Sequence, residues 1–530
     1  MKKNLIAMSV VTALTTTSFA SDMNKEMYNQ IQALKAQIEA LEKKVAQQEA
    51  KDKEAQKAVT NVAPTQQKVA VDEKRIENIE KKLETVSKTA TTAKIQSAQD
   101  NIKWDVDFRT QVDNIQYKHA DGSHSKNKAL MTNRLWLGAK YKADDNSSFF
   151  GKLSYNKAFG ERVKGNNTNY DEFNWVTNEN ANDDDIKLKE AYWLYQNERL
   201  FSSDIPWSVS VGRRPSTDGL PINIRNDQKP NSPLSHTIDV EFDGFSFKLD
   251  TEGVTGFTGS WLKICGGRGL TNATPRFDMF KPAYSKDDEK NDDVDMLGLI
   301  VVPYDDGQYS VHMQYSHAWN LIGYSADAMG KFNNAYGTYT NNPDAQTAYE
   351  LQMAKPSFED VGDIDLATVL FKSEGIGDGI SETLDNTTAF ASFAMSKTNP
   401  NSKGMLGTTD SQTGYSVWLG VNTACPILPD SARIGFEWNK GSKYWRSMTY
   451  GEDTYAGSKI AARGQAFEVY RTQKLTEALS FGVSYVYIDY DYTGSNSFFG
   501  ADGEPIAISD ANGSAVKEAQ DIRAYMRYKF

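Results

Sequence analysis

From residue 101 to the C-terminus, apolar and polar side chains alternate along many short stretches of the chain. The last stretch is apolar at every second position, namely at Ile522, Ala524, Met526, Tyr528 and Phe530. Successive side chains of a β-strand point to opposite faces, so this pattern predicts a strand with one apolar face and one polar face. The same layout recurs over residues 102–109, 134–141, 149–155, 207–211, 245–249, 309–315, 415–421, 433–439 and 481–487.

The length and repetition of these stretches predict an all-β fold, a transmembrane antiparallel β-barrel. A strand that crosses a bilayer needs about 9–11 residues, with apolar side chains outward and polar side chains inward. We count about sixteen such segments, with fourteen or eighteen as alternatives, because closed bacterial barrels have an even strand number. Residues 101–530 are therefore expected to form one closed barrel.

The charged residues of these strands indicate which face of the barrel wall contacts water. A Lys or Arg at mid-depth on the lipid face costs roughly 2–4 kcal/mol, so such side chains are expected to face the lumen or to lie near an interface. The resulting pore-lining candidates are Asp105, Asp107, Arg109, Arg134, Lys140, Arg214, Arg433, Glu437, Arg523 and Arg527. Pro215 is expected to end its strand, which leaves Arg214 either at the pore mouth or holding its own loop.

The first hundred residues have a different character. Residues 1–20 combine a charged start, a short apolar stretch and small residues before the expected cleavage site. This pattern predicts a signal peptide. Residues 21–60 are expected to form a coiled-coil helix, with a seam at Met27, Ile31, Leu34, Ile38, Leu41 and Val45. Residues 61–100 are expected to contain a linker and a second short helix. A solvated spacer helix is the alternative interpretation of this region.

Composition excludes several classes of function. Two Cys and five His leave little material for a disulfide scaffold or a His/Cys metal site. The net charge of −11 argues against nucleic-acid binding. Metalloprotease, nucleotide-binding and nucleophile-elbow motifs are missing from the sequence, so we expect neither enzyme activity nor a cofactor or metal. Cys265 and Cys425 would pair only in an oxidising compartment, and spacing alone does not decide whether they do.

Several segments carry a resemblance to a known family: residues 212–219 (GRRPSTDG), 242–245 (FDGF), 435–445 (GFEWNKGSKYW) and the terminal YKF. They resemble a porin-like family of bacterial outer-membrane β-barrels that is known only as a domain of unknown function, numbered 3373 in that series. The resemblance implies an outer-membrane location. It also implies that Tyr528 and Phe530 form the C-terminal signal for the barrel insertion machinery. It supplies no substrate and no catalytic residue.

Together these observations predict an outer-membrane channel for passive diffusion of small hydrophilic or ionic solutes, with residues 21–100 in the periplasm. The expected partners are outer-membrane lipid, lipopolysaccharide and the insertion machinery. A homo-oligomer, either a trimer or a dimer, and contact of the N-terminal helix with the cell wall remain open. The alternative is a plugged structural or adhesive barrel whose loops bind a partner.

Two further expectations concern the lumen. Acidic residues outnumber basic residues by 14 over residues 101–530, which predicts a weak preference for cations. Residues 321–363 lack clear alternation and form a long connection, and such connections often carry function. We hypothesise that this loop folds inward and narrows the channel, with an outward-lying loop as the alternative.

Overall fold

A computed structural model describes residues 102–159, 186–270, 293–377, 379–449, 454–495 and 503–530 of the chain. Sixteen antiparallel strands form a closed barrel, which confirms the predicted all-β antiparallel barrel and its strand number. The first strand pairs with the last, so that Arg109 lies opposite Arg527. Closure removes sheet edges whose backbone groups would otherwise lack hydrogen-bond partners in a bilayer. The predicted signal peptide and both N-terminal helices lie outside the described residues.

The first eight barrel strands are β1 (Ile102–His119), β2 (His124–Lys142), β3 (Ser147–Ala158), β4 (Lys187–Asn197), β5 (Trp207–Arg214), β6 (Phe242–Asp250), β7 (Trp261–Leu270) and β8 (Val294–Asp305). The other eight are β9 (Tyr309–Trp319), β12 (Gly362–Glu374), β13 (Thr388–Pro400), β14 (Thr413–Ala424), β15 (Ala432–Gly441), β16 (Gly464–Lys474), β17 (Leu479–Tyr490) and β18 (Val516–Lys529). Each pairs with its neighbour in the chain, and β9 pairs with β12.

The remaining elements lie in the connections. A two-stranded sheet consists of β10 (Ile322–Gly323) and β11 (Glu359–Asp360). The helices are α1 (Ile222–Asn226), α2 (Glu252–Thr255), α3 (Ala326–Asn341), α4 (Ala345–Met353) and α5 (Glu382–Asp385). Within the described ranges, no helix is both long enough and apolar enough to cross a bilayer.

The two ends of the barrel differ in the length of their connections. At one end the turns are short, as in residues 143–146, 306–308 and 475–478. At the other end the connections include residues 215–241 and 442–463, which are much longer. Long connections at a single end are typical of bacterial outer-membrane barrels, whose short turns face the periplasm.

The predicted alternation sets the two faces of the wall. Along β1, Phe108 and Val112 are exposed on the outside, whereas Asp107, Gln111 and Asp113 are buried on the inside. The same holds for β16, β17 and β18, where the outward positions carry large apolar side chains, namely Val469, Val483, Tyr485, Ile522 and Met526. The barrel therefore has an apolar exterior and a polar interior.

A charge on the apolar exterior should destabilise the barrel. Val469 lies in the middle of β16 and is 46% exposed on the outer face. We expect Val469→Lys to lower the free energy of unfolding in lipid vesicles by roughly 2–4 kcal/mol, because the ammonium group enters hydrocarbon. Urea titration followed by tryptophan fluorescence measures this change, and Val469→Leu is the matched control. Equal stability of the two variants would contradict a lipid-facing β16.

The hypothesis that residues 321–363 fold into the lumen is wrong. The buried residues at the two ends of this connection are Leu321, Ile322, Gly323, Ser325, Val361 and Gly362. Between them α3 contains no buried residue, and α4 buries Thr347 alone. The exposure of both helices indicates that neither is packed between the wall and other parts of the interior.

The two cysteines are both free. Cys265 lies on β7, and Cys425 follows β14 directly. Between these strands the wall contains β8, β9, β12 and β13. At about 4.8 Å per strand, the two residues occupy distant parts of the wall. Hydrogen bonds from the backbone N–H groups of Ile427 and Leu428 lower the pKa of the Cys425 thiol.

Candidate channel lumen

Two long connections fold into the barrel and occupy much of its interior. The first, residues 215–241, is called the β5–β6 segment. The second, described at residues 442–449 and 454–463, is called the β15–β16 segment. The β5–β6 segment hydrogen-bonds to side chains of at least ten strands around the wall, namely β1, β4, β5, β7, β9, β12, β13, β14, β16 and β18. It therefore crosses the lumen rather than lining one side.

His236 holds the β5–β6 segment to the wall formed by β13 and β14. Its Nδ1 lies 2.8 Å from Ser392 Oγ and its Nε2 lies 2.9 Å from Ser416 Oγ, and the imidazole is completely buried. The ring also packs edge-on against Trp418 of the wall and Trp445 of the β15–β16 segment, at 5.7 Å in each case. One imidazole thus connects the wall with both inward segments.

Asp107 is the centre of a second attachment, on β1 and β18. Its carboxylate accepts hydrogen bonds from Arg527 at 2.5 and 2.8 Å and from Arg134 at 3.3 Å. Gln228 of the β5–β6 segment donates to the same carboxylate at 2.8 Å. Arg527 also donates to the backbone oxygen of Asn226 at 2.6 Å. The seam between the first and last strands is therefore also a docking point for the segment.

A third attachment joins both inward segments to β15 and β16. Glu468 accepts hydrogen bonds from Arg225 of the β5–β6 segment at 2.6 Å and from Lys459 of the β15–β16 segment at 2.5 Å. Lys459 also contacts Glu437, which accepts a bond from Trp418 Nε1 at 3.0 Å. All five side chains are buried. Buried charges are tolerated only when they are paired in this way.

Apolar packing closes the interior near β8, β9 and β12. The inward side chains Ile364 and Leu366 of β12 are completely or almost completely buried. They pack in one cluster with Ile238 and Val240 of the β5–β6 segment and with Met448 of the β15–β16 segment. The wall is therefore apolar on its inner side where the inward segments press against it.

The adjoining wall is more accessible to water. On β5, β6 and β7, the inward residues Arg214, Lys248 and Lys263 are only half-buried. Ser210 and Ser246 lie between them, with their hydroxyl oxygens 3.0 Å apart. In the structure, the accessible polar surface of the lumen thus includes the wall from β5 to β7.

All ten sequence-predicted lumen residues lie on the inward side of their strands, but they differ in burial. Six are buried, namely Asp107, Arg109, Arg134, Glu437, Arg523 and Arg527. Four keep access to solvent, namely Asp105, Lys140, Arg214 and Arg433. Most of the predicted lining thus contacts the inward segments or other wall side chains. For example, Arg523 donates to Asp113 at 2.6 Å, and Arg433 donates to the side-chain oxygen of Asn422 on β14.

The predicted C-terminal signal residues lie at the short-turn end of the barrel. Phe530 exchanges two backbone hydrogen bonds of 3.1 Å with Val106 of β1. The rings of Tyr528 and Phe530 meet edge-on at 5.5 Å. The last residue therefore takes part in closing the barrel.

The sequence analysis did not identify the inward segments. A signal was present, because the β5–β6 segment contains Leu220, Ile222, Leu234, Ile238 and Val240, which are more apolar residues than an exposed loop requires. His236, Lys248, Lys263, Lys459 and Glu468 were not singled out either. In the described ranges, no group of His, Cys, Asp and Glu side chains is arranged to hold a metal ion.

Comparison with known sequences places residues 124–530 in one family. The matching family is described as "Protein of unknown function (DUF3373)", and the match covers most of the chain. The chain belongs to this DUF3373 family. None of the curated proteins matches it.

Solved structures with some similarity are outer-membrane proteins. OmpF of Salmonella typhi, in complex with daunomycin, is 10% identical over 82% of this chain and 99% of its own, with a TM-score of 0.41. OprB of Pseudomonas putida is 12% identical over 83% and 96%, with a TM-score of 0.44. An anion-selective porin from Comamonas acidovorans is 11% identical over 81% and 100%, with a TM-score of 0.43. The barrel architecture of the DUF3373 protein rests on its own strand pairing.

Proposed function

We propose that this protein is an outer-membrane channel for passive diffusion of small hydrophilic or ionic solutes. The observation that carries the proposal is the half-buried polar wall of β5–β7 inside a barrel with an apolar exterior. An apolar exterior suits a bilayer, and an accessible polar interior lets a solute keep hydrogen-bond partners during passage. The two inward segments would narrow the lumen and set an upper limit on solute size.

The proposed orientation in the membrane follows from the usual architecture of bacterial outer-membrane barrels. The short-turn end would face the periplasm and the long connections would face outward. We propose that residues 1–20 are removed as a signal peptide and that residues 21–100 lie in the periplasm as a helical segment. Tyr528 and Phe530 would be recognised by the barrel insertion machinery. A dimer or trimer remains compatible with this arrangement.

A plugged structural or adhesive barrel is the second candidate function. The complete burial of His236, Lys459 and Arg463 favours it, because such burial indicates dense packing inside the barrel. In that case the outer loops would bind a partner and the N-terminal helix would contact the cell wall. The protein would then contribute attachment rather than permeability.

Swelling of proteoliposomes separates the two functions. We expect vesicles that contain the purified full-length protein to swell in isotonic solutions of a small sugar, and to swell more slowly as the sugar becomes larger. A size-graded rate is the expected signature of an aqueous passage with a constriction. Vesicles with heat-unfolded protein are the control for leakage. Absence of swelling with every solute, together with absence of conductance in planar bilayers, would reject the channel and favour the plugged barrel.

A further inference from the structure

Two lysines face each other across neighbouring strands inside the barrel. Lys248 of β6 is paired in register with Lys263 of β7, and both side chains point inward. Directly opposite side chains in an antiparallel pair have Cβ atoms about 4.5–5.5 Å apart, and like charges at such positions are destabilising. A chain selected only for stability would not place two ammonium groups here.

Arg214 adds a third cation to the same wall. Its Nε donates to Ser210 Oγ at 2.6 Å, so the side chain runs back along β5 toward the row that contains the two lysines. Ser210 pairs with Ser246, and the next row toward the short turns pairs Ser208 with Lys248. Arg214 therefore lies on the same inward wall as the two paired lysines.

The described residues contain no carboxylate within ion-pair distance of Arg214, Lys248 or Lys263. Lys248 instead lies over the ring of Trp261, 4.4 Å from its centre. Lys263 donates to Ser232 of the β5–β6 segment at 2.5 Å. Asp250 is on the same strand as Lys248 and attracts it without forming an ion pair. The three cations are thus left with neutral partners.

Several other cationic side chains of the interior have a carboxylate partner. Lys459 and Arg225 share Glu468, and Arg527 binds Asp107. Lys372, an inward lysine of β12, is paired with Glu374 at 2.5 Å. Among the described residues, the wall formed by β5, β6 and β7 therefore contains three cations that solvent can reach and that no carboxylate pairs with.

We propose that Arg214, Lys248 and Lys263 form a binding site for a small oxyanion, a carboxylate or phosphate group of a permeating solute. An anion between the two ammonium groups would remove their mutual repulsion and supply the missing counter-charge. Ser210 and Ser246 hydrogen-bond to each other, so one of their two hydroxyl groups offers a further donor beside the guanidinium group. This inference rests on the proposed channel function, because the solute must reach the lumen. The accessible wall is then locally positive, whereas the chain as a whole carries a net negative charge.

Direct binding tests the site without requiring permeation. Inorganic phosphate and, separately, acetate are titrated calorimetrically into the full-length protein in detergent. We expect both to bind the wild type, and we expect Lys248→Gln with Lys263→Gln to weaken binding about tenfold or more, since two charge-assisted contacts are lost. The double substitution to arginine should retain most of the affinity, because it keeps both charges. Lys372→Gln is the matched control, an inward lysine whose removal should leave binding unchanged.

Stability provides an independent readout on the same variants. Removing one member of a like-charge pair should raise the urea midpoint of Lys263→Gln above that of the wild type, which also shows that the variant is folded. Weakened binding in a protein of equal or higher stability supports the site. Absence of phosphate and acetate binding in the wild type, or equal binding in the double glutamine variant, overturns it.

Conductance distinguishes failure of the site from failure of the channel. In planar bilayers under a KCl gradient, the double glutamine variant should shift the reversal potential toward cation preference, and Lys372→Gln should not. A protein that conducts but binds neither anion refutes the site and leaves the channel standing. A protein that binds phosphate through the two lysines but never conducts keeps the site and refutes the channel.

Discussion

Replacing Glu468 by glutamine is expected to lower the free energy of unfolding by about 3–5 kcal/mol, the usual cost of removing one partner from a buried ion pair. Glu468 is 5% exposed and neutralises two cations from two different inward segments, Arg225 and Lys459. The glutamine would leave Arg225 with a longer contact to Glu437, at 3.9 Å. Because Lys459 keeps its contact with Glu437, we expect a value near the lower end of this range.

The same substitution should also loosen the lumen. Arg225 belongs to the β5–β6 segment and Lys459 to the β15–β16 segment, so both segments lose an attachment to β16 at once. We expect more frequent and larger conductance fluctuations in planar bilayers than for the wild type. Urea unfolding in detergent gives the change in stability on the same preparation.

A matched control uses an ion pair on the surface. Glu504 lies 3.4 Å from Lys443, and its side chain is 61% exposed. Glu504→Gln should change stability by less than about 1 kcal/mol, because exposed pairs contribute little. If Glu468→Gln were as harmless as Glu504→Gln, the Glu468 cluster would not be the buried attachment described above.

Replacing residues 218–239 of the β5–β6 segment with a glycine–serine linker of equal length is expected to raise the single-channel conductance roughly twofold or more, since conductance follows the cross-section of the aqueous path. This replacement removes His236, Arg225 and Gln228, which attach the segment to three parts of the wall. It also removes Leu220 and Leu234, which pack against Leu370 of β12. The barrel strands themselves are left intact.

Deletion of the helical connection provides the comparison. Residues 326–353 cover α3 and α4, which bury almost nothing against the barrel. We expect their deletion to leave conductance and ion selectivity unchanged. A larger effect from this deletion than from the 218–239 replacement would show that the constriction had been assigned to the wrong connection. Heat-modifiable mobility on gels shows that both variants retain a folded barrel.

Much of the fold was predictable because the signal for a barrel strand is local. The two-residue period in Ile102–Arg109 or Ile522–Phe530 fixes which side chains share a face, and the cost of a charge in hydrocarbon fixes which face is wet. Arg134, Arg214 and Arg527 could therefore be assigned to the inside before any coordinates were known. The number of segments gave the strand count for the same reason.

The contents of the barrel could not be predicted in this way, because they depend on contacts between residues far apart in the chain. Arg225 meets Glu468 across 243 positions, and His236 meets Ser416 across 180. Neither connection has a period that marks it as inward or outward. Residues 321–363 were predicted to fold inward because the connection is long. The length of a connection, however, does not indicate whether its residues are buried.

The sequence by itself determined a closed wall of alternating strands, its apolar outside and its charged inside, since each of these follows from neighbouring residues and the solvent they face. Only the tertiary structure decided which charges are neutralised and which are accessible. Asp107 and Arg527 look like Lys248 and Lys263 in sequence, as charged inward positions on barrel strands. The first two compensate each other across the closing seam, whereas the other two face each other uncompensated, because register and the path of the inward segments set their partners.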